Sequence, residues 1–172
     1  LHQKYGSLPW KDLIQPAIKL ASQGFRVTPY MADTLNSYQE RFYKFKTTRK
    51  IFYKKDGLKF NDVLIQKDLA KSLKLISTDG RKSFYEGQIA KKIVADMKKN
   101  DGILTLNDLK QYRSSWRKPL IGDYRGYKII TMPPPSSGGL HLIQMLNILE
   151  SFDLKLLGHN SAEYVLLLSE VM

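Results

Sequence analysis

Few side chains in this 172-residue sequence are set out for chemistry. Cysteine is absent, which excludes disulfides, thiolate metal sites and a Cys nucleophile, so any acyl transfer would need Ser, Thr or Lys. The three histidines, His2, His141 and His159, stand outside any HExxH or CxxC arrangement and offer a metal little to hold. His141 falls one turn into an apolar stretch and reads as a hydrogen-bonded core or interface residue, and His159 beside Gly158 and Asn160 reads as loop. The most specific run is Pro133-Pro134-Pro135-Ser136-Ser137-Gly138-Gly139. A nucleophile elbow needs glycine two residues before its serine, and prolines stand there instead. Two readings remain for the run. In one, the glycines permit close backbone packing and the serines cap a helix; in the other, amides at the helix start contact an anion or substrate.

Two further stretches invite chemistry and mostly refuse it. Gly80-Arg81-Lys82-Ser83 lacks the glycine spacing and the Gly-Lys-Ser order of a phosphate loop. Between Tyr38 and Tyr53, aromatic rings alternate with Arg41, Lys44, Lys46, Arg49 and Lys50, a pattern that suits stacking on single-stranded nucleic acid. Helical spacing explains those rings more simply as core. Lys plus Arg number 28 against 16 acids, a net charge of +12, but the lysines are spread along the chain and read as a solvated face. No nucleic-acid partner, metal or cofactor is expected.

The elements that must position these residues follow from periodicity. Leu13, Ile14, Ala17, Ile18 and Ala21 predict a helix from about Trp10 to Ser22, ended by Gly24. Thr28-Pro29 predicts a capped helix start, with Met31, Leu35, Tyr38 and Phe42 as its stripe. Asp56-Gly57 marks a turn. Ile65, Leu69, Leu73 and Ile76 predict the next helix, and Ile89, Ile93, Val94 and Met97 another, stopped at Asn100-Asp101-Gly102. Lys118 to Met132 changes to a strand pattern broken by glycines, read as a hairpin, after which a helix runs from Ser137 to Leu149 and is apolar on more than one face. The fold class is therefore α+β, mainly α. With 42% apolar residues the chain suits one domain able to bury roughly 70% of its unfolded surface. No apolar run reaches membrane-spanning length, and no signal peptide is visible near Leu1. Val165, Leu166, Leu167, Leu168, Val171 and Met172 form an apolar helical end, and covering five such side chains would contribute an upper estimate of about 10 kcal/mol. That end is expected to pack on further chain.

Ordered motifs add a family resemblance. Tyr5-Gly6-Ser7-Leu8-Pro9-Trp10, Gln15-Pro16-Ala17-Ile18, Gly24-Phe25-Arg26-Val27, Gly80 to Gly87, Asp101-Gly102-Ile103-Leu104-Thr105, Tyr124-Arg125-Gly126-Tyr127, the proline run and Asn147-Ile148-Leu149-Glu150 follow one another in order. The set resembles the large subunit of bacterial gamma-glutamyltransferases, which are N-terminal-nucleophile hydrolases of αββα architecture. The resemblance implies that residues 1–172 are part of a larger chain, a helical lobe over 1–116 and a strand pair, Pro/Gly turn and buried helices over 117–172. It also implies export to the periplasm or outside the cell. Its nucleophile would be a threonine opening a small subunit, and its partners the rest of the large subunit and that small subunit. A gamma-glutamyl substrate would bind only the complete enzyme. Thr47-Thr48-Arg49 copies two letters of the family's processing junction but stands in the wrong order relative to every landmark, so no catalytic residue is carried over. Residues 133–139 are the one candidate for near-site support. A related acylase, of the cephalosporin acylase or capsule depolymerase type, would share these motifs, and a free-standing basic binding module is the alternative outside enzymes.

Overall fold

The computed structural model describes residues 1–53 and 57–172. They form two compact units, Leu1–Tyr112 and Arg113–Met172.

The first unit is helical, with one small sheet. After α1 (His2–Tyr5), α2 (Trp10–Gln23) ends as expected at Gly24, whose φ of +84° lies in the left-handed region. A side chain at Gly24 would meet the Val63 and Ile65 side chains, so glycine also lets the next segment approach. That segment pairs β1 (Phe25–Arg26) with β2 (Val63–Leu64), antiparallel, Phe25 opposite Leu64. Strands of two residues are too short for a period of two to register in sequence. α3 (Pro29–Ser37) starts as expected, with the Met31 amide donating to Thr28 Oγ1 at 3.2 Å. The expected stripe does not continue through one helix. Tyr38, at φ −96° and ψ 8°, separates α3 from α4 (Gln39–Tyr43), and α5 (Lys46–Phe52) follows.

Val27, Ala32, Leu58 and Leu64 close a small core, packed by Phe25, Met31, Leu35, Ile51 and Phe52. Asn36 ties it to the loop beyond: its Nδ2 donates to Leu58 O at 2.9 Å and its Oδ1 accepts from Leu58 N at 3.2 Å. The turn expected at Asp56-Gly57 involves residue 56, which lies outside the described residues. α6 (Lys67–Asp79) begins after Ile65, leaving that residue out of the expected stripe. α7 (Arg81–Tyr85), α8 (Gln88–Lys99) and α9 (Leu106–Gln111) complete the unit. α9 opens on a reciprocal cap. The Asp108 amide donates to Thr105 Oγ1, while the Thr105 amide and hydroxyl donate to Asp108 Oδ2 at 2.8 and 2.6 Å.

The second unit starts with the expected hairpin. β3 (Leu120–Tyr124) and β4 (Tyr127–Thr131) pair antiparallel, with Leu120 opposite Thr131 and Tyr124 opposite Tyr127. Arg125 and Gly126 carry φ of +48° and +82°, the mirror-image turn whose twist suits two-residue hairpins. α10 (Gly138–Leu149), α11 (Leu154–Leu157) and α12 (Ala162–Val171) follow. Here one expectation fails. α10 was expected to be buried on more than one side, yet Gly139 and Leu149 alone are buried and Leu140, Leu142 and Ile148 are exposed. α12 buries none of its residues, and Leu166 is 62% exposed.

Burial is therefore lower than length and composition suggest. The described chain exposes 13957 Å². A compact monomer of this mass exposes about 8,700 Å², and two separate globules of the units' sizes about 10,000 Å².

Candidate functional site

The proline run lies between β4 and α10, and its geometry depends on close backbone approach. The Ser136 amide donates to Pro133 O at 3.3 Å, and the Arg117 guanidinium donates to Pro134 O at 3.2 Å. Pro134 through Gly138 are exposed. Ser137 stands at the helix start with φ −77° and ψ −23°, and its side chain makes no capping hydrogen bond. The expectation that a serine caps this helix is corrected. A capping side chain needs an extended backbone at that position, and Ser137 is already helical. Its carbonyl instead accepts from the His141 amide at 3.0 Å.

The close approach belongs to the second glycine. A Cβ on Gly139 would lie 2.8 Å from Thr131 Oγ1 and nearer still to Met132 O, whereas one on Gly138 would meet nothing closer than Ser136 Oγ at 3.8 Å. The start of α10 therefore rests directly on the end of β4, and only a residue without a side chain fits. Gly122 repeats the device on β3, where a Cβ would stand 3.0 Å from Ile143 Cγ2 of α10.

Arg125 closes the other end of this assembly. Its amide donates to Glu150 Oε1 at 2.8 Å, and its guanidinium donates to Leu149 O at 3.4 Å and to Phe152 O. A cation on the last carbonyl of α10 and on that of Phe152 just beyond it satisfies acceptors that the helix itself cannot, and it complements the helix dipole. Three separated stretches of sequence are thus held on one hairpin-and-helix block: the proline run at 133–139 at one end, and the hairpin turn at 124–127 against the helix end at 147–150 at the other. Sequence reasoning placed all three as landmarks but missed Arg125 as the residue that joins the first to the last. Its position before Gly126 in a two-residue turn was the available signal.

The other candidates are not gathered. His2 faces Leu8 O at 2.9 Å and packs against the Trp10 ring at 5.2 Å. His141 is exposed on α10, so of its two readings the core one is corrected and the interface one is untouched. His159 lies in the turn between α11 and α12, 6.0 Å from the Tyr164 ring. Among the described residues there is no group of three or more His, Cys, Asp or Glu able to hold a metal. Thr47 and Thr48 lie inside α5, each within continuous helical backbone.

Arg81 has a structural use. It donates to Tyr112 O at 2.6 Å, lies 3.5 Å from Glu86 Oε1 and sits over the Tyr85 ring, which stacks on Tyr112 at 5.3 Å. Beside it is an open groove of about 810 Å³ walled by His2, Trp10, Ile76, Phe84 and Tyr85. The Trp10 indole donates to Ile76 O at 2.9 Å and fixes one side of it. Two groups of the first unit are displaced from their ordinary acidity. Hydrogen bonds from the Thr105 side chain and backbone hold the Asp108 carboxyl below the usual carboxylate range, and burial pushes the Tyr53 phenol up. The reading of the rings between Tyr38 and Phe45 as core is corrected: they are exposed, and only Phe52 and Tyr53 of the stretch to Tyr53 turn inward.

The model of the family described as Gamma-glutamyltranspeptidase matches residues 1–172. The chain belongs to the gamma-glutamyltranspeptidase family. It is 46% identical over 169 residues to the glutathione hydrolase proenzyme of Escherichia coli strain K12, covering 97% of this chain and 29% of that protein. It is 38% identical over 174 residues to the acylase ACY 1 proenzyme of a Pseudomonas strain, V22, covering 98% of this chain and 30% of that protein. Among solved structures, the Helicobacter pylori gamma-glutamyltranspeptidase is 48% identical with a TM-score of 0.94, over 99% of this chain and 49% of that one. The chain thus spans about 29% of the length of the Escherichia coli relative. Family membership accounts for the order of the landmarks, and the mainly helical α+β fold stands. No helix among the described residues is long and apolar enough to cross a membrane.

Proposed function

We propose that the protein containing this gamma-glutamyltranspeptidase segment transfers or hydrolyses the gamma-glutamyl group of glutathione or a related amide. The acyl group would pass through a threonine that opens a small subunit, with that residue's own amine as base. The observation that carries the reading is the 46% identity to a glutathione hydrolase proenzyme along nearly the whole chain.

In this reading the segment contributes position rather than reacting atoms. The hairpin β3–β4, clamped by Arg125 and seated on α10 through Gly122 and Gly139, is a rigid block whose outer strand edges are open to further strands. Residues Pro133 to Gly139, exposed from Pro134 to Gly138 and seated at the buried Gly139, form the rim of that block and would give near-site support rather than catalysis. The apolar faces of α10 and α12 would be covered by the rest of the large subunit and the small subunit, the whole of residues 1–172 then belonging to one domain. The compartment would be the periplasm or the outside of the cell.

The test compares the complete protein with residues 1–172 alone on a gamma-glutamyl anilide. Release of the anilide by the complete protein, and none by the segment, is the expected result. Turnover by the purified segment would overturn the scaffold role. A complete protein that ignores the anilide but deacylates a beta-lactam side chain would favour the acylase reading, which the 38% identity to ACY 1 keeps open.

A further inference from the structure

We propose that the surface formed by α4 and α5 docks the protein onto a lipid interface bearing anionic, phosphate-containing headgroups. From Tyr38 to Tyr53 five cations, Arg41, Lys44, Lys46, Arg49 and Lys50, all exposed, stand against a single acid, the exposed Glu40 of α4. Four large rings share the same stretch or adjoin it. Tyr38 is 45% exposed, Phe42 39%, Tyr43 43% and Phe45 53%. Exposed rings amid a net excess of four positive charges are the two ingredients of interfacial binding: rings enter the boundary below the headgroups while cations stay level with the phosphates.

The geometry favours a lipid surface over a nucleic-acid strand. Arg41 lies over the Tyr38 ring at 5.7 Å, Lys44 over Phe45 at 5.3 Å and Arg49 over Tyr43 at 5.0 Å. A cation already occupies a face of three of the four rings, where a stacking base would have to go. At a membrane the same pairing is an asset, since those three rings enter with a cation beside them at headgroup level. The patch is also anchored. Tyr43 packs edge-on against Tyr53 at 6.3 Å, and the Tyr53 hydroxyl donates to Leu35 O at 2.8 Å, which ties the exposed rings to the core of the first unit.

Sedimentation of the complete protein with vesicles tests this. Vesicles of equal phosphatidylglycerol and phosphatidylcholine should bind it at low salt, and phosphatidylcholine alone at least about tenfold more weakly, since each cation near an anionic surface strengthens binding roughly fivefold. Added salt should release it. F42S/F45S should weaken binding to the anionic vesicles at least about fivefold, and R41Q/R49Q about tenfold or more. Should R41Q/R49Q lower the melting temperature, K46Q/K50Q removes the same charge. Failure of the complete protein to bind anionic vesicles, or unchanged binding by the ring and charge variants, would overturn the proposal. So would tighter binding to a single-stranded oligonucleotide than to the anionic vesicles, with the same residues responsible.

Discussion

The two units handle apolar sequence in opposite ways. In Leu1–Tyr112 modest stripes are enough to enclose Val27 and Leu58 almost completely, because a loop folds back and Asn36 hydrogen-bonds it in place. In Arg113–Met172 the helices are far more apolar, yet of its large apolar side chains Leu149 alone is buried. The first unit uses its hydrophobic residues on itself. The second uses glycine and an arginine clamp to set its pieces, and leaves its oily faces outward. Apolar content therefore measures what a segment can bury, not what it does bury within its own boundaries.

Five changes, one of them paired with a control, would break or sharpen that contrast. The largest effect is expected from Leu58→Ala, which empties a fully enclosed position and should cost about 3 kcal/mol. Hydrogen exchange should quicken throughout Leu1–Tyr112; protection equal to that of the parent would mean the small core does not hold this unit together. Next comes Gly139→Val, which drives a side chain into Met132 O and should cost about 2 kcal/mol or more, with Gly138→Ala as a nearly silent neighbour. Equal losses at the two glycines would remove the argument for a strand-on-helix seam at 139. Thr28→Ala should cost about 1 kcal/mol by uncapping α3, read from denaturant midpoints.

The smallest effects are those of pH. The Tyr53 phenol has a raised pKa, so its contribution is complete below the ordinary value near 10 and is lost as pH rises through the folded value. Tyr53→Phe should remove that alkaline slope. Asp108 is the reverse case. Its carboxyl is depressed, so its contribution is present above the ordinary carboxylate range and is lost as pH falls through the folded value. Thr105→Ala should flatten the acid limb, and an unchanged limb would mean the reciprocal cap is not what lowers Asp108.

Local rules made much of this legible. The Thr28-Pro29 start, the Gly24 stop, the hairpin and the extent of α10 all follow from neighbours in sequence, where propensity and turn chemistry act. What escaped was set by distant partners. The break at Tyr38, the two-residue strands β1 and β2, and the outward rings from Tyr38 to Phe45 left no mark in a window of periodicity. At the candidate site the run 133–139 was visible as a motif. The division of labour between Gly138 and Gly139 was not, because it is decided by the Met132 carbonyl.

Arg125 answers two demands that pull apart. At φ +48° a glycine or asparagine would rest more easily, since side chains on most residues crowd that region. Only a long guanidinium reaches the carbonyls of Leu149 and Phe152. Arg125→Gly would relax the loop locally while freeing the helix exit, so the position trades backbone comfort for a tether across a gap of some two dozen residues. Improvement of the turn alone cannot stabilise the block.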